Sequence, residues 1–318
     1  MSRQRHFSRR NDRQDRPDPI SQWLPPSEVA DFTESGTTVH RVLSGDHHWI
    51  ERFGTTAVMS VKDQAEAEEL LEGLDAWQQE AGLVLDRVYL RLLVRQPRED
   101  DRPALLRGDK AASTKELVQE NGLSYEVDFA SSYSAGLFCD QRLNRLHLRS
   151  LHPRRVLNTF AYTCAFSVAA AIEGAETLSV DLSKSSLHRG RRNFELNGLD
   201  PAAHRFIADD VLAVLPRLAA RGELYDAIIL DPPTFGRSSA KRSFRAEQDY
   251  EDLIAAALAC AAPGASILLS TNCTSLSVFK LRSMASRVAR GKAEFHREPA
   301  QPDFPESHGS ATLWMRRI

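Results

Sequence analysis

From Arg155 onward, short apolar runs closed by a polar residue alternate with stretches of helical periodicity, and this alternation constrains the fold more than any other feature of the chain. The runs are Val156-Leu157-Asn158, Thr177-Leu178-Ser179-Val180-Asp181, His204 to Ala208, Tyr225 to Asp231 and Ser266 to Ser270. Between and after them lie helical patterns over Phe166 to Glu173, Lys184 to Leu196, Val211 to Ala220 and Asp249 to Ala262. Strands that are apolar on both faces, each followed by a helix, predict a parallel sheet covered on both sides, the doubly wound α/β arrangement. The longest weakly polar stretch, Ile254 to Leu269, is cut by Pro263-Gly264 and reads as a helix end followed by a strand, too short and too broken to span a bilayer.

The region before this series is smaller and different in charge. A strand-like run ends at Thr55 to Val61, a helical pattern covers Ala65 to Trp77, and a second strand follows at Val88 to Val94, predicting a small α/β unit. Residues 96–115, with Pro97, Pro103, Gly108 and the charges Arg98-Glu99-Asp100-Asp101, read as a long exposed loop. The expected organisation is a flexible basic tail over residues 1–25, an acidic accessory α/β domain over 26–125 and the doubly wound domain over 126–318. The first twenty residues hold six arginines and no apolar segment, so they are not read as a secretory leader.

The 318 residues carry a formal charge of only −2, which excludes a protein coated in positive charge throughout. Split along the chain, residues 1–20 carry +3, residues 21–140 carry −11 and residues 141–318 carry +6. Three basic clusters lie in the last part: Arg142, Arg145, Arg149, Arg154 and Arg155; Arg237, Lys241, Arg242 and Arg245; and Arg282, Arg287, Arg290, Lys292 and Arg297. Clusters beside a base-sized pocket suit phosphate contacts to RNA; the alternative is a solvated face in an arginine-rich chain. The four cysteines, Cys139, Cys164, Cys260 and Cys273, have no CxxC or zinc-ligand spacing, which predicts reduced thiols and a cytoplasmic setting. His40 and the adjacent His47 and His48 lack partners for a metal site, so none is expected.

In a doubly wound sheet, ligands bind beyond the carboxyl ends of the strands, and here those ends are Asn158, Asp181, Asp209-Asp210, Asp231 and Thr271-Asn272-Cys273. Asp181 stands where a nucleotide-binding domain places an acid that accepts from ribose hydroxyls; capping of the next helix is its plainer role. The first turn, Asn158 to Phe166, has no G-x-G-x-x-G, so a dinucleotide pyrophosphate is disfavoured and a phosphate-free ligand such as S-adenosylmethionine is not. Asp231-Pro232-Pro233-Thr234-Phe235 ends an apolar strand in a rigid corner, with Phe235 offering a flat face for an unstacked base or, more plainly, a core contact.

These motifs, with Gly136-Leu137-Phe138-Cys139-Asp140-Gln141-Arg142 and Asn193 to Leu199, resemble the class I S-adenosylmethionine-dependent methyltransferases, specifically the ribosomal RNA large subunit methyltransferase I family, whose members methylate carbon 5 of a 23S ribosomal RNA cytosine. The resemblance runs from about Tyr125 to the end. It implies a Rossmann-like fold with S-adenosylmethionine as cofactor. In it Asn158, Phe160 and Tyr162 line the methionine side, Asp181 holds the ribose, Leu182 packs on the adenine, Asp210 binds the adenine amine, Asp231 lies near the sulfonium as a catalytic residue that helps position cofactor and base, and Gln141-Arg142 close the pocket. Pro232, Pro233 and Phe235 would meet the substrate base. Cys273 falls where the family's C5 enzymes carry their nucleophile, its plainer role being a core thiol. The family usually has a Gly pair where this chain has Cys164-Ala165, which predicts a crowded cofactor loop. Residues 30–125 resemble only the family's α/β insert, and the front is too short and acidic for its N-terminal RNA-binding PUA domain. Rival readings are a guanine-N7 enzyme needing no covalent step, a small-molecule methyltransferase, and a non-catalytic RNA-binding relative.

Overall fold

The structure is a computed structural model, and it describes residues 21–94, 101–233, 235–236, 244–305 and 308–318, with only the backbone described at Phe235, Gly236 and Phe244. The expected tail falls mainly outside the described residues, as do Arg237, Lys241 and Arg242.

The front half forms a six-stranded sheet whose strands lie in chain order: β1 (Gln22–Trp23), β2 (Val39–Ser44), β3 (Trp49–Phe53), β4 (Thr56–Val61), β5 (Arg87–Leu92) and β6 (Ala104–Arg107). Only β4 and β5 run parallel, joined by helix α2 (Glu66–Glu80), while α1 (Pro26–Glu34) follows β1. Leu74 and Trp77 of α2 pack on Ile50, Met59 and Val88, giving this half its own core. Strand β6 corrects the expectation of a long loop over residues 96–115. Its residues, Ala104 to Arg107, alternate between exposed and half-buried and pair with β5 along an edge that charge-rich neighbours obscure in sequence. A hairpin of β7 (Lys115–Glu120) and β8 (Leu123–Asp128) follows, so the boundary expected at residue 125 falls inside a strand. Tyr125, Val127 and Phe129 share a cluster with Phe53 and Tyr89 on one side and with Cys164, Leu187 and Phe194 on the other. The two halves are thus joined by buried apolar contact rather than by a bare linker.

The rear half contains α3 (Arg142–Ser150), β9 (Arg155–Thr159), α4 (Ala165–Ala171), β10 (Glu176–Asp181), α5 (Lys184–Leu196), β11 (Arg205–Ala208), α6 (Val211–Ala220) and β12 (Tyr225–Leu230). The short pair β13 (Phe235–Gly236) and β14 (Phe244–Arg245) follows, then α7 (Ala246–Leu258), β15 (Ala261–Thr271), α8 (Val278–Val288), β16 (Ala293–His296) and β17 (Ala311–Arg317). Sheet order is β11-β10-β9-β12-β15-β17-β16. The first five strands are parallel, as expected, but β17 pairs antiparallel with β15 and β16 antiparallel with β17, so the sheet is not parallel throughout. Pro263-Gly264 lies inside β15 rather than ahead of it, at a point where Tyr225 pairs with Ala261 but Ala227 pairs with Ser266. That irregularity lets a proline, which cannot donate to the ladder, sit in a strand.

The sheet buries both faces. Leu157, Ile228, Ile267 and Leu269 face α6, α7 and α8 through Leu215, Leu253 and Leu281, while Val156, Ile229 and Leu268 face α3 and α4 through Leu148 and Phe166. Side-chain caps fix two helix starts that bound the site. Ser183 Oγ accepts the Ser186 N–H at 3.1 Å to open α5, and Asp210 Oδ1 accepts the Leu212 N–H at 2.9 Å to open α6.

Candidate active site

Two adjoining cavities open at the carboxyl edge of the parallel strands. The first, of about 510 Å³, is lined by Asn158, Phe160, Tyr162, Asp181, Leu182, Asp210, Asp231, Pro232, Pro233 and Gln141. Ten of the residues expected at the site therefore come together. Phe235 lies in β13, and its side chain is outside the described residues. Arg142 is the exception. It is buried on the far side of α3, where its guanidinium grips both Asp303 carboxylate oxygens at 2.6 and 3.1 Å and the Val39 carbonyl at 3.3 Å. It holds the two halves together instead of closing the pocket.

The turn after β9 shapes the first cavity. Phe160, Tyr162 and Cys164 all adopt left-handed backbone, with φ of 52°, 48° and 62°. Each such non-glycine residue costs on the order of 1–3 kcal/mol, and strain of this kind persists where the surroundings enforce it, commonly at functional sites. The enforcement here is visible: the Tyr162 N–H donates to Asp181 Oδ2 at 2.8 Å, the Tyr162 hydroxyl to the Ser134 carbonyl at 2.9 Å, and the Thr163 hydroxyl to the Gly136 carbonyl at 2.5 Å. Asp181 also accepts the Ser183 N–H on Oδ1, so it braces the turn while Ser183, not Asp181, caps α5. Burial pushes the Asp181 carboxyl upward, opposed by these two N–H donors.

The crowding expected at Cys164-Ala165 does not arise. The Cys164 side chain is fully buried and points away from the cavity toward Gly190 in α5, where an added Cβ would stand 2.4 Å from its Sγ. Glycine on the opposite helix makes the room that a glycine in the loop would have made.

Asp231 and Gln141 meet across the floor. The Gln141 amide donates to Ser270 Oγ at 2.8 Å and accepts from Asn144 at 2.9 Å, whose own carbonyl oxygen accepts the Trp314 indole N–H at 2.9 Å. Ser270 also hydrogen-bonds Asp231. Burial, with Asp140 adding its negative charge, raises the Asp231 carboxyl to about 6 against that hydrogen bond. Leu182, 46% exposed, presents an apolar side chain at the mouth. An acid, an apolar shelf and a capped helix start around a cavity of this size fit a nucleoside carrying an amino-acid chain, with no glycine-lined cradle for a pyrophosphate.

The second cavity, of about 500 Å³, is lined by Cys273, Leu276, Arg297, Gln301 and Thr312 among others, and it shares Asp140, Asn272 and Ser310 with the first. Cys273 follows the end of β15 and is 8% exposed, with Sγ 3.1 Å from Ser275 Oγ, whose hydroxyl donates to Glu247. Asp140 takes the Ser310 N–H and hydroxyl on Oδ2 at 3.0 and 2.7 Å. Ser275, Glu247, Asp140 as a shared wall, and Ser310 were not singled out in sequence. Only Asp140 carried a signal, its place within Gly136 to Arg142.

The basic clusters divide. Arg145 is buried in a two-pronged pair with Glu120 at 2.6 Å, Arg149 pairs with Glu173, and Arg155 binds the Leu224 carbonyl, so with Arg142 most of the first cluster serves packing, not phosphate contact. Those carboxylate partners lie 24 or more residues away along the chain. Arg287 pairs with Glu251, whereas Arg245, Arg282, Arg290, Lys292 and Arg297 are exposed. All four cysteines, Cys273 included, are buried free thiols. His40 is buried and bonded to Arg52 at 3.2 Å, and His48 bonds Ser21. Among the described residues no helix is long and apolar enough to cross a membrane.

Comparison with known proteins agrees with this geometry. A structure of a methyltransferase complexed with S-adenosylhomocysteine superposes with a TM-score of 0.77 at 28% identity, covering 92% of this chain and 78% of that one. A methyltransferase from Streptococcus mutans gives 0.75 at 27% identity, covering 92% and 80%. Among curated proteins, one of Bacillus subtilis provisionally named ribosomal RNA large subunit methyltransferase YwbD is 41% identical over 169 residues, 52% of this chain and 42% of its own length. Ribosomal RNA large subunit methyltransferase I of Aeromonas salmonicida is 39% identical over 162 residues, 50% of this chain and 40% of its own. The matches thus span about two-fifths of the length of these curated relatives. Residues 65–316 match a single family over most of the chain, and on that match the protein belongs to the S-adenosylmethionine-dependent methyltransferases.

Proposed function

We propose that the protein methylates ribosomal RNA of the large subunit, at carbon 5 of a cytosine, with Cys273 as nucleophile. The observation that carries this reading is the pair of adjoining cavities: one suits the cofactor, and the other, across the wall of Asp140, Asn272 and Ser310, has Cys273 in its lining and room for a flipped base. The names of the curated relatives support the RNA substrate.

Asp181 would accept from the ribose, Leu182 would pack on the adenine, Asp210 would meet the adenine amine, and Asn158, Phe160 and Tyr162 would hold the methionine end. S-adenosylmethionine supplies an electrophilic methyl group when bound. Carbon 5 of cytosine is a weak nucleophile, so the chain's contribution is to raise its electron density: the Cys273 thiolate adds to carbon 6, and after methylation loss of the C5 proton allows the C–S bond to break and restores the ring. Ser275 and Glu247 form a hydrogen-bonded path by which the thiol proton leaves. Pro232 and Pro233 give the base a rigid edge, and the exposed cations Arg245, Arg282, Arg290, Lys292 and Arg297 provide phosphate contacts.

The test is methyl transfer from labelled cofactor to 23S ribosomal RNA, with the modified nucleoside identified by mass spectrometry for the wild type and Cys273→Ala. The reading predicts 5-methylcytidine from the wild type, transfer at background for the variant, and equal cofactor affinity for both. Full activity of Cys273→Ala, with 7-methylguanosine as product, overturns it in favour of the guanine reading, in which no covalent adduct is needed.

A further inference from the structure

Beside the second cavity, three side chains that play no part in the proposed chemistry converge. His147 lies on α3, His296 closes β16, and Glu298 follows two residues later. His147 Nδ1 is 2.9 Å and His296 Nε2 2.6 Å from the same Glu298 carboxylate oxygen. The three ligand atoms lie within 4.8 Å of one another, and theirs is the group of His, Cys, Asp and Glu among the described residues assembled closely enough to hold an ion.

Tetrahedral zinc with bonds of 2.0–2.1 Å spaces its ligand atoms about 3.3 Å apart. The two histidine–glutamate separations, 2.9 and 2.6 Å, fall short of that value by well under 1 Å, so small side-chain movements suffice. The imidazoles are held in place: their rings stack at 5.0 Å and 24°, and His147 also packs on Trp314 at 4.8 Å. As a hydrogen-bonded trio, two imidazoles crowd their N–H groups onto one oxygen; a divalent cation replaces both protons.

We propose that His147, His296 and Glu298 form a binding site for one divalent transition ion, with zinc as the type case and water in the open position. Two imidazole nitrogens select this class over magnesium or calcium, which take oxygen ligands. The bound ion would clamp the chain after β16 onto α3. That chain walls the second cavity through Arg297 and Gln301 and carries Asp303, the partner of Arg142.

The experiment uses untagged, chelator-treated full-length protein titrated with zinc chloride and, separately, magnesium chloride, followed by calorimetry and by thermal melting. The expected result is one zinc ion per chain, a raised melting temperature, and no response to magnesium. His296→Ala and Glu298→Gln should each weaken zinc binding on the order of tenfold or more. His296 is exposed, so its removal takes little packing from the fold. Absence of zinc binding, or equal binding by the wild type and both variants, which would mark adventitious uptake at other histidines, overturns the proposal.

Discussion

The cavity lined by Asp181 is assembled mainly from the turns that follow β9, β10, β11 and β12, whereas the cavity lined by Cys273 gathers α3, the end of β15 and residues 297–312 from the far end of the chain. The first is a product of local chemistry repeated four times: a strand ends, a polar residue turns the chain, a helix begins. The second exists only because β17 and β16 return antiparallel and bring the C-terminal residues beside α3. One fold thus joins a cavity built largely on the turns of a parallel sheet to a neighbour specific to the later part of this chain.

If the two cavities are built separately, damage to one should spare the other, and the largest effect should come from the buried pair behind the second. Arg142→Met leaves Asp303 as an unpaired buried carboxylate and should lower stability by about 3–5 kcal/mol in denaturant unfolding. The variant, where folded at low temperature, should keep cofactor affinity while losing RNA methylation. Next, Asp181→Ala removes the acceptor for two turn N–H groups and, on the proposed reading, for the ribose. Its cofactor affinity should fall by about 1.5–3 kcal/mol in calorimetry, with RNA affinity unchanged. Equal loss of both ligands in either variant would erase the distinction between the cavities.

Gly190→Ala tests the turn from behind. The new Cβ meets Cys164 Sγ at 2.4 Å, so overpacking should cost about 1–3 kcal/mol of stability and weaken cofactor binding through the strained turn. Gly190→Ala with Cys164→Gly should recover most of that loss. The smallest effect concerns Asp231, on the boundary. Its carboxyl should titrate at about 6 in carbon-13 spectra and shift downward in Asp140→Asn, because Asp140's negative charge helps hold it up. The folded value exceeds the unfolded one, so this group's contribution to stability is full below the ordinary carboxylate range and is lost as pH rises through about 6. A midpoint near 4 would remove the premise of a buried, poised acid.

The same contrast explains what could be read before the fold was known. Helices α5 and α6 match their expected limits, Lys184 to Leu196 and Val211 to Ala220, because Ser183 and Asp210 cap them and glycines follow them closely. Asn158, Asp181, Asp210 and Asp231 were legible because each sits at the end of an apolar strand, where position alone assigns exposure to the cavity. Arg142 was not. Its partner Asp303 lies 161 residues away, and a sequence does not separate a guanidinium buried against a distant acid from one free to meet phosphate. Strand β6 was lost for a related reason, since its four residues, Ala104 to Arg107, show no apolar–polar alternation in sequence and stand among charged neighbours. Cys273 was singled out by family resemblance, while Ser275 and Glu247, linked to its thiol by hydrogen bonds, became visible only when α7 was packed beside the end of β15.

The division of labour between the cavities is tested most directly by covalent trapping. RNA containing 5-fluorocytosine at the target position has no C5 proton to lose, so the methylated adduct cannot release the enzyme. The account predicts a protein–RNA complex stable to denaturing gels, formed only with S-adenosylmethionine present, absent in Cys273→Ala, and mapped by mass spectrometry to the peptide bearing Cys273. An unmodified Cys273 with no trapped complex, in an enzyme that still methylates RNA at full rate, would contradict it.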